Sequence, residues 1–459
     1  MSNINILTKI IKDKIMWIDI HKKKISIEYI KQNIQKTQFN FYKILKCTKK
    51  IFILECKKAS PTKGIICKNF DIINLVNIYQ KYSTAISIIT DEKYFQGNFN
   101  YIKVVRNIVS QPIICKDFII SSYQIYFARL HGADAILLIL SIINDEQYNI
   151  LSNIAHKLNM GILTEVNNIQ EFKRAINLQA KIISINNRNL NNFTVNINTT
   201  KNILSIYKNY IPKNTIIISA SGINNHMQIN QLNKIVNGFL IGSAITSQNN
   251  ILLSIKKIIF GNNKVCGLRT IEDAMISDKY GSVFGGLIFT KQSIRYIKSI
   301  YAKHIIYNIP NLLYIGVFCN NSIADILRIT KLIPLYGLQL HGNEDQNFIN
   351  HLKKKISSKI KIWKTYKINN FIPKNNFFNI DLFVYDYYIS GQGKSFNWNL
   401  LKNINTNNIL LAGGLNIHNY SIAKNINCYG LDFNSGVETQ PGIKDHIKIK
   451  KLFQKIRNN

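Results

Sequence analysis

Glu55 and Lys57 follow the apolar run Phe52–Leu54 and stand two residues apart. If that run is a strand, both side chains lie on one face, because side chains alternate along a strand. An acid and an amine at the end of a buried strand are costly unless both are used. An α/β barrel places its catalytic groups at the carboxyl ends of its strands. The pair alone is equally compatible with a structural salt bridge, so the remaining strands decide between the two interpretations.

Short apolar runs followed by longer amphipathic segments recur eight times in the first half, which predicts a closed (β/α)8 barrel. The runs are Ile51–Leu54, Ala85–Ile89, Ile113–Cys115, Ala135–Ile139, Ile162–Leu163, Ile182–Ile185, Ile216–Ile218 and Phe239–Ile241. Five of them end in groups able to do chemistry: Glu55 with Lys57, Lys116, Glu165, Asn186 with Arg188, and Ser221. Random strand ends would not supply this set at one rim, so we predict an active site there.

Small residues follow the last two predicted strands of the first half, as Ser221-Gly222 and Gly242-Ser243. They let backbone N–H groups approach an anion, and the loops after strands 7 and 8 are the usual phosphate site of such barrels. The first half is therefore predicted to act on a small phosphorylated substrate.

The second half repeats the pattern and predicts a second phosphate-binding barrel, in which one helix is reduced or missing. Its runs are Lys264–Cys266, Gly286–Phe289, Tyr314–Phe318, Gly337–Leu340, Ile362–Lys364, Leu382–Tyr385, Ile409–Leu411 and Tyr429–Phe433. The polar strand ends are Cys266, His341 and Asp386, and the small pairs are Gly413-Gly414 and Ser435-Gly436. The predicted fold class is α/β, with two TIM barrels in tandem over residues 1–258 and 259–459.

The first ~45 residues predict a helical extension, with Leu7, Ile11, Ile15 and Ile18 at helical spacing. A basic amphipathic helix could lie on a membrane, but packing on the following barrel is the commoner outcome. The longest apolar run, Ala135–Ile143, is too short to cross a bilayer. We therefore expect no membrane association.

The net charge of +35 invites a nucleic-acid partner. The basic residues are spread along the whole chain, however, and Lys, Ile and Asn share A/T-rich codons, so a biased genome is the simpler cause. We expect no nucleic-acid partner. Seven cysteines without a C-x-x-C pair and nine dispersed histidines predict no metal site and a reducing cytoplasm.

Longer segments of both halves resemble known families. The first half is similar to indole-3-glycerol-phosphate synthase through FILECKKASPTKG, TDEKYFQG, CKDFII, GADAILL, TEV, INNRNL and FLIGSA. The second half is similar to phosphoribosylanthranilate isomerase through KVCGL, GGLIF, QLHGNE, LAGGL and GLDFNSGVETQPGIKD. Their order and fusion resemble the bifunctional tryptophan-biosynthesis enzymes of enteric bacteria. The composition indicates a relative from an A/T-rich genome.

The first resemblance implies ring closure of carboxyphenylamino-deoxyribulose phosphate to indole-3-glycerol phosphate, with loss of carbon dioxide and water. By position, Lys116 is the principal general acid, Glu165 assists dehydration, and Lys57 holds the carboxylate. For Lys116 to donate a proton near neutral pH, the pKa of its ammonium would have to fall. The implied supporting residues are Glu55, Asn186, Arg188, Ser60 and Ser221, with Gly222, Gly242 and Ser243 on the phosphate.

The second resemblance implies an Amadori rearrangement of phosphoribosylanthranilate, with Cys266 as a stabilised thiolate base and Asp386 as the acid. Arg295 would hold the anthranilate carboxylate, although Ile294 replaces the usual proline. His341 either touches substrate or is structural. The implied phosphate contacts are Gly413, Gly414, Ser435 and Gly436. Acid–base chemistry suffices for both reactions, so we expect no cofactor, and we expect a monomer.

Two residues depart from the synthase pattern. Ala220 stands where the family has Glu, and Ser184 stands where Gly is usual. Three alternatives therefore stay open: another phosphate-binding barrel enzyme, a basic nucleic-acid-binding protein, and a chain whose first barrel is only a scaffold.

Overall fold

The computed structural model describes residues 6–189, 194–374, 376–389 and 393–459. The chain divides into two compact units, residues 1–255 and 256–459. Each unit contains a closed barrel of eight parallel strands, so the predicted fold class is confirmed. Residues 1–5 of the predicted helical extension and Leu190 of the segment INNRNL lie outside the described residues.

The first unit begins with three helices and continues into the barrel, in which each strand pairs with the next strand of the barrel and the last pairs with the first. The elements are α1 (Ile6–Lys24), α2 (Ile27–Asn33), α3 (Phe41–Cys47), β1 (Ile51–Cys56), β2 (Ala59–Ser60), β3 (Gly64–Ile65), α4 (Ile72–Tyr79), β4 (Ala85–Ile89), α5 (Glu92–Phe95), α6 (Asn100–Arg106), β5 (Ile113–Lys116), α7 (Ser122–Leu130), β6 (Ala135–Ile139), α8 (Asp145–Lys157), β7 (Gly161–Val166), α9 (Ile169–Asn177), β8 (Ile182–Asn186), α10 (Asn198–Tyr207), β9 (Ile216–Ala220), α11 (His226–Leu232), β10 (Gly238–Ile241), α12 (Ser243–Thr246) and α13 (Ile251–Phe260), which contains the division between the units. The short strands β2 and β3 form a separate hairpin.

The second unit has the same order of strands and fewer helices. Its elements are β11 (Lys264–Val265), α14 (Ile271–Tyr280), β12 (Phe284–Ile288), α15 (Ser299–Asn308), β13 (Leu313–Phe318), α16 (Ile323–Leu332), β14 (Gly337–Leu340), α17 (Gln346–Lys355), β15 (Lys361–Ile368), β16 (Leu382–Tyr387), β17 (Ile409–Leu411), α18 (Tyr420–Ala423), β18 (Gly430–Phe433), β19 (Glu438–Gln440), β20 (Ile443–Lys444) and α19 (His446–Asn458). In the described part of the chain, the connection between β16 and β17 holds only a 3₁₀ turn, Trp398–Leu401, and that between β15 and β16 holds no helix. The expected reduction of a helix is found there.

Several strands extend beyond the predicted apolar runs. Strand β7 runs from Gly161 to Val166 instead of covering Ile162–Leu163, and β15 continues to Ile368. Apolar runs mark only the buried aliphatic side chains, whereas the backbone ladder continues through polar residues that face the barrel mouth. Three predicted limits were wrong in the other direction, because Cys266 and Phe289 follow their strands and Tyr429 precedes its strand.

Helix α1 packs on the barrel, as expected, but the predicted face is only partly correct, since Ile18 is buried whereas Ile15 is exposed. Its buried residues are Ile10, Lys14 and Ile18, while Ile15 is 49% exposed. The ammonium of Lys14 lies 2.9 Å from Asp91 and 2.7 Å from Asp117, and both carboxylates are buried. The apolar periodicity missed this contact because the central residue of the buried face is charged.

We expect Lys14→Met to lower the free energy of unfolding of the first unit by about 3–5 kcal/mol, because it leaves two buried carboxylates without their cation. Trp17 is the sole tryptophan of residues 1–255. Urea unfolding followed by its fluorescence, with Trp363 and Trp398 replaced by Phe, measures the change. Lys12→Met alters an exposed lysine of the same helix and is the control. Equal unfolding midpoints for both variants would show that the Lys14 contact contributes nothing.

Candidate active sites

A layer of four inward-facing side chains lies at the carboxyl end of the first barrel. Alternate strands supply each layer of such a barrel, and the pairing register shows which residues share a level. The layer is Glu55 (β1), Lys116 (β5), Glu165 (β7) and Ala220 (β9). All four line one cavity of about 360 Å³. The layer beneath contains Ser87, Leu137, Ser184 and Leu240.

The charged groups of this layer contact one another. Lys57 lies 2.5 Å from Glu55, and Lys116 lies 3.8 Å from the nearer oxygen of Glu165. The other oxygen of Glu165 accepts a hydrogen bond of 2.9 Å from the side-chain amide of Asn186. Burial favours the neutral form of Glu55, but Lys57, Lys116 and Arg188 together hold its pKa below its usual value. The predicted residues therefore form one connected polar group, with two carboxylates beside ammonium groups.

Lys116 is protonated in this site. Burial favours its neutral amine, but Glu165, Glu55 and Asp117 outweigh burial and raise its pKa above the usual value. The expectation of a lowered pKa was therefore wrong in direction. Burial was foreseen, whereas the proximity of two carboxylates from distant strands was not.

The rest of the cavity contains the remaining predicted residues of the first barrel. Its lining includes Ser60, Arg188, Ser221, Gly222, Gly242 and Ser243, together with Leu7 and Ile10 of α1. Ser221 and Gly222 both have positive φ, 63° and 79°, a conformation that is uncommon for serine. A Cβ on Gly242 would lie 2.3 Å from Glu55, so only glycine fits beside that carboxylate.

The missing family carboxylate belongs to the same layer as the candidate acid. Ala220 is 2% exposed and presents a methyl group to the cavity beside Glu165 and Lys116. Ser184, the second departure, lies in the layer below, and its hydroxyl has no hydrogen-bond partner among the described residues. The site thus retains its cation and two of the three expected carboxylates.

The second barrel brings its predicted residues to one cavity. The lining includes Cys266, His341, Asp386, Gly413, Gly414 and Ser435, but neither Arg295 nor Gly436. Burial raises the pKa of Asp386 to about 6, and burial with nearby lysines lowers that of His341 to about 4. His341 is therefore neutral near pH 7, and its Nε2 lies 3.6 Å from Asp386. A carboxylic acid with so high a pKa is suited to proton donation.

Cys266 is a thiol, not a thiolate, in this site. Burial raises its pKa, and Lys264 and Lys444 oppose that effect without reversing it. The expectation of a stabilised thiolate was therefore wrong for the site without substrate. The thiol is nonetheless beside a cation, because the fully buried Lys264, the first residue of β11, interacts with it.

Arg295 has a different partner from the one expected. It donates two hydrogen bonds of 2.8 Å to Glu438, which also accepts one of 2.7 Å from Lys444. It lies close to the loop after Cys266, because a Cβ on Gly267 would come within 3.0 Å of its side chain. The guanidinium is thus held near the cavity by an internal carboxylate.

Two family models match the chain in tandem. The model of indole-3-glycerol phosphate synthase matches residues 7–258, and that of N-(5'-phosphoribosyl)anthranilate isomerase matches residues 263–455. A protein described as "Tryptophan biosynthesis protein TrpCF" from Buchnera aphidicola subsp. Schizaphis graminum is 51% identical over 451 residues, 98% of this chain and 99% of that protein. The chain belongs to this bifunctional synthase–isomerase family.

Proteins of the same description occur in other bacteria. The one from Buchnera aphidicola subsp. Acyrthosiphon pisum is 50% identical and covers 98% of each chain. The one from Vibrio cholerae is 44% identical over 99% of this chain and 96% of that protein. Among solved structures, phosphoribosyl anthranilate isomerase from Thermus thermophilus matches 42% of this chain and 98% of that chain, with 25% identity and a TM-score of 0.39.

The resemblance seen in the sequence is therefore confirmed. The chain is a bifunctional enzyme of tryptophan biosynthesis, with a decarboxylating lyase in the synthase barrel and an isomerase in the second barrel. Phosphorylated substrates are consistent with both activities. Among the described helices, none is long and apolar enough to cross a bilayer.

Sequence reasoning missed several buried polar residues of the isomerase barrel. Lys264 donates hydrogen bonds of 2.7 Å to Asp432 and 2.9 Å to Gln339, and all three are buried. Lys264 begins β11 and Asp432 lies within β18, and a charged side chain in each predicted buried strand was the available signal. Their partners are 75 and 168 residues away in the chain, so the contacts themselves could not be read from local spacing.

Proposed function

We propose that the isomerase barrel converts N-(5'-phosphoribosyl)anthranilate to carboxyphenylamino-deoxyribulose phosphate. The synthase barrel then closes this product to indole-3-glycerol phosphate, with loss of carbon dioxide and water. The layer that joins Lys116 to Glu55 and Glu165 carries the proposal. We further propose domain limits of 1–258 and 259–459, a monomer in the cytoplasm, and small anionic substrates as the partners.

In the isomerase barrel, Asp386 protonates the furanose oxygen and the bond from that oxygen to C1 breaks, which gives an iminium ion. Cys266, as thiolate, then takes the C2 proton, and the resulting enol tautomerises to the ketone. The substrate gains one proton and loses one, so the reaction is an isomerisation. Gly413, Gly414, Ser435 and Gly436 bind the phosphate through backbone N–H groups, while Arg295 and His341 contact the rest of the substrate.

In the synthase barrel, Lys116 gives its proton to the ketone oxygen as the aromatic carbon attacks the carbonyl carbon. Lys57 binds the carboxylate that leaves as carbon dioxide, and Glu165 assists loss of the hydroxyl as water. A charged Lys116 suits this role, because its ammonium is a ready donor where negative charge develops. The supporting residues are Glu55, Asn186, Arg188, Ser60 and Ser221, with Gly222, Gly242 and Ser243 on the phosphate. Every step uses side-chain acids and bases, so the mechanism requires no cofactor.

The test is conversion of N-(5'-phosphoribosyl)anthranilate by the purified chain alone. We expect stoichiometric indole-3-glycerol phosphate and carbon dioxide, with the deoxyribulose phosphate as a transient intermediate. Accumulation of that intermediate without indole product would contradict the proposal for the synthase barrel. It would support the alternative that this barrel is only a scaffold.

We expect kcat/KM of the isomerase to be constant between about pH 6 and the raised pKa of Cys266, and to fall below about pH 6. Between the pKa of Asp386, about 6, and the raised pKa of Cys266, the main form is carboxylate with thiol. The reactive form, acid with thiolate, contains the same number of protons, so its fraction does not change there. Below pH 6 both groups are protonated and the reactive fraction falls.

The substrate phosphate also titrates near pH 6, so the profile needs a control. Asp386→Glu changes the acid and leaves the phosphate unchanged, so we expect the low-pH limb to move. If the low-pH limb does not move in Asp386→Glu, the fall in kcat/KM comes from the substrate phosphate and not from Asp386.

Restoring the family carboxylate tests the synthase site. We expect Ala220→Glu to raise synthase kcat/KM by up to about 10²-fold, the lower end of what a positioned acid–base group contributes. The new side chain would enter the layer beside Lys116, above the unpartnered Ser184 hydroxyl. Ala220→Gln is the control of equal size without charge. No gain from Glu over Gln would mean that the site works without a third carboxylate.

A further inference from the structure

A chain of buried polar side chains crosses the isomerase barrel from Lys264 to Asp386. Lys264 Nζ donates to Gln339 Oε1 at 2.9 Å. Gln339 Nε2 lies 3.1 Å from Thr365 Oγ1 and 3.3 Å from His341 Nδ1, and Thr365 Oγ1 lies 3.4 Å from the same Nδ1. His341 Nε2 lies 3.6 Å from Asp386 Oδ2. Cys266 lies at the Lys264 end of this chain, because Lys264 stands two residues before it and interacts with its thiol.

The direction of the hydrogen bonds from Lys264 to His341 follows from the first member of this chain. An ammonium has three donors and no acceptor. Burial favours the neutral amine of Lys264, but Asp432 and Cys266 outweigh burial and raise its pKa, so Lys264 stays charged. The oxygen of Gln339 must therefore face Lys264, so its NH₂ group faces Thr365 and His341. An NH₂ group only donates, so Nδ1 of His341 must accept. The proton of the neutral ring is left on Nε2, toward Asp386.

We propose that Gln339, oriented by Lys264, is a positioning residue that fixes His341 as the Nε2–H tautomer and so aims a hydrogen-bond donor at Asp386. This inference rests on the proposed role of Asp386 as the acid. Once Asp386 has given its proton to the ring oxygen, its carboxylate carries new negative charge. An N–H group that faces the carboxylate from 3.6 Å stabilises that charge and needs only a small approach to form a hydrogen bond. The opposite tautomer would present a lone pair to the carboxylate instead.

The tautomer matters because the ring is neutral at the working pH. Burial lowers the pKa of His341 first, and Lys367, Lys264 and Lys364 add to that effect, while Glu344 opposes it. Lys364 is itself paired with Glu344 at 2.8 Å. With the ring neutral, the two nitrogens have different roles, and the residue on Nδ1 decides which one donates.

The test uses Gln339→Glu in the full chain. An ionised Glu only accepts, so it would face both Lys264 and Nδ1 and would move the ring proton to Nδ1. The readout is the ¹⁵N spectrum of histidine-labelled protein, with the His341 signals assigned by their loss in His341→Gln. We expect Nε2–H in the parent chain and in Thr365→Val, which keeps the Gln339 donor, and Nδ1–H in Gln339→Glu.

Kinetics of the same proteins separate positioning from a structural role. We expect Gln339→Glu to lower isomerase kcat by about 10- to 10²-fold with little change in KM, a part of what general acid catalysis supplies. Synthase activity should be unchanged. Gln454→Glu, the same change at an exposed position, should alter neither activity. An Nδ1–H ring in the parent chain, a changed tautomer in Thr365→Val, or an unchanged tautomer in Gln339→Glu would overturn the proposal. The tautomer is measured without turnover, so these results stand even if the proposed reaction fails.

Discussion

Lys116→Ala is expected to lower synthase kcat by about 10²–10⁴, the contribution of a positioned general acid. Lys116 is the sole cation in the layer with Glu55 and Glu165, and the two carboxylates keep it protonated. Its removal takes away the proton donor and leaves the carboxylates to repel an anionic substrate. Synthase turnover with purified carboxyphenylamino-deoxyribulose phosphate measures the effect directly.

Two variants control this result. Lys103→Ala removes an exposed lysine of the first unit and should leave turnover unchanged. Lys116→Arg keeps the charge but donates its proton far less readily, so we expect it to retain KM and lose kcat. If Lys116→Ala turned over at the parent rate, Lys116 would have no place in the mechanism.

Cys266→Ala is expected to abolish the isomerase step, with a loss of kcat of at least about 10²–10⁴, because it removes the group that takes the C2 proton in the proposed mechanism. The thiol lies beside Lys264, which can stabilise the thiolate as it forms. The measurement is the loss of N-(5'-phosphoribosyl)anthranilate fluorescence under single-turnover conditions.

The comparison variant is Cys428→Ala. This cysteine precedes β18 and so lies at the opposite end of the barrel from Cys266. We expect parent activity from it. A Cys266→Ala protein that kept most of its isomerase rate would assign the base to another residue, and Asp432, which lines the same cavity, would be the next candidate.

The barrel architecture could be predicted because it depends on local patterns. Each apolar run lies next to a longer amphipathic segment, and the helices begin at polar caps such as Asp71, which accepts hydrogen bonds from the N–H groups of Ile73 and Asn74. The limits were less accurate. Glu165 and Val166 continue β7 beyond its apolar core, since a strand ends where its hydrogen bonding ends.

The candidate sites could be predicted as sets of residues but not as electrostatic environments. Glu55, Lys116 and Glu165 reach one layer because the carboxyl ends of parallel strands meet at one rim. The raised pKa values of Lys116 and Cys266 depend on burial and on partners from other strands. No spacing within the chain encodes those partners.

Lys14 and Lys264 show the limit most clearly. Each is a buried lysine within an apolar segment, and its meaning depends on partners far away in the chain, Asp117 for the first and Asp432 for the second. Apolar periodicity treats such residues as interruptions. Their roles become recognisable only when the closed barrel brings a carboxylate to within 3 Å of each ammonium. For this reason the buried face of α1 and the buried contacts of Lys264 were not predicted.

The most direct measurement uses two full-length variants, each with a substitution in one barrel. It identifies the compound that accumulates when each variant is supplied with N-(5'-phosphoribosyl)anthranilate. Cys266→Ala should leave the substrate unchanged, and Lys116→Ala should stop at carboxyphenylamino-deoxyribulose phosphate. The two variants mixed together should form indole-3-glycerol phosphate. If Lys116→Ala also blocked the first step, or Cys266→Ala still formed the indole product, the assignment of one reaction to each barrel mouth would be wrong.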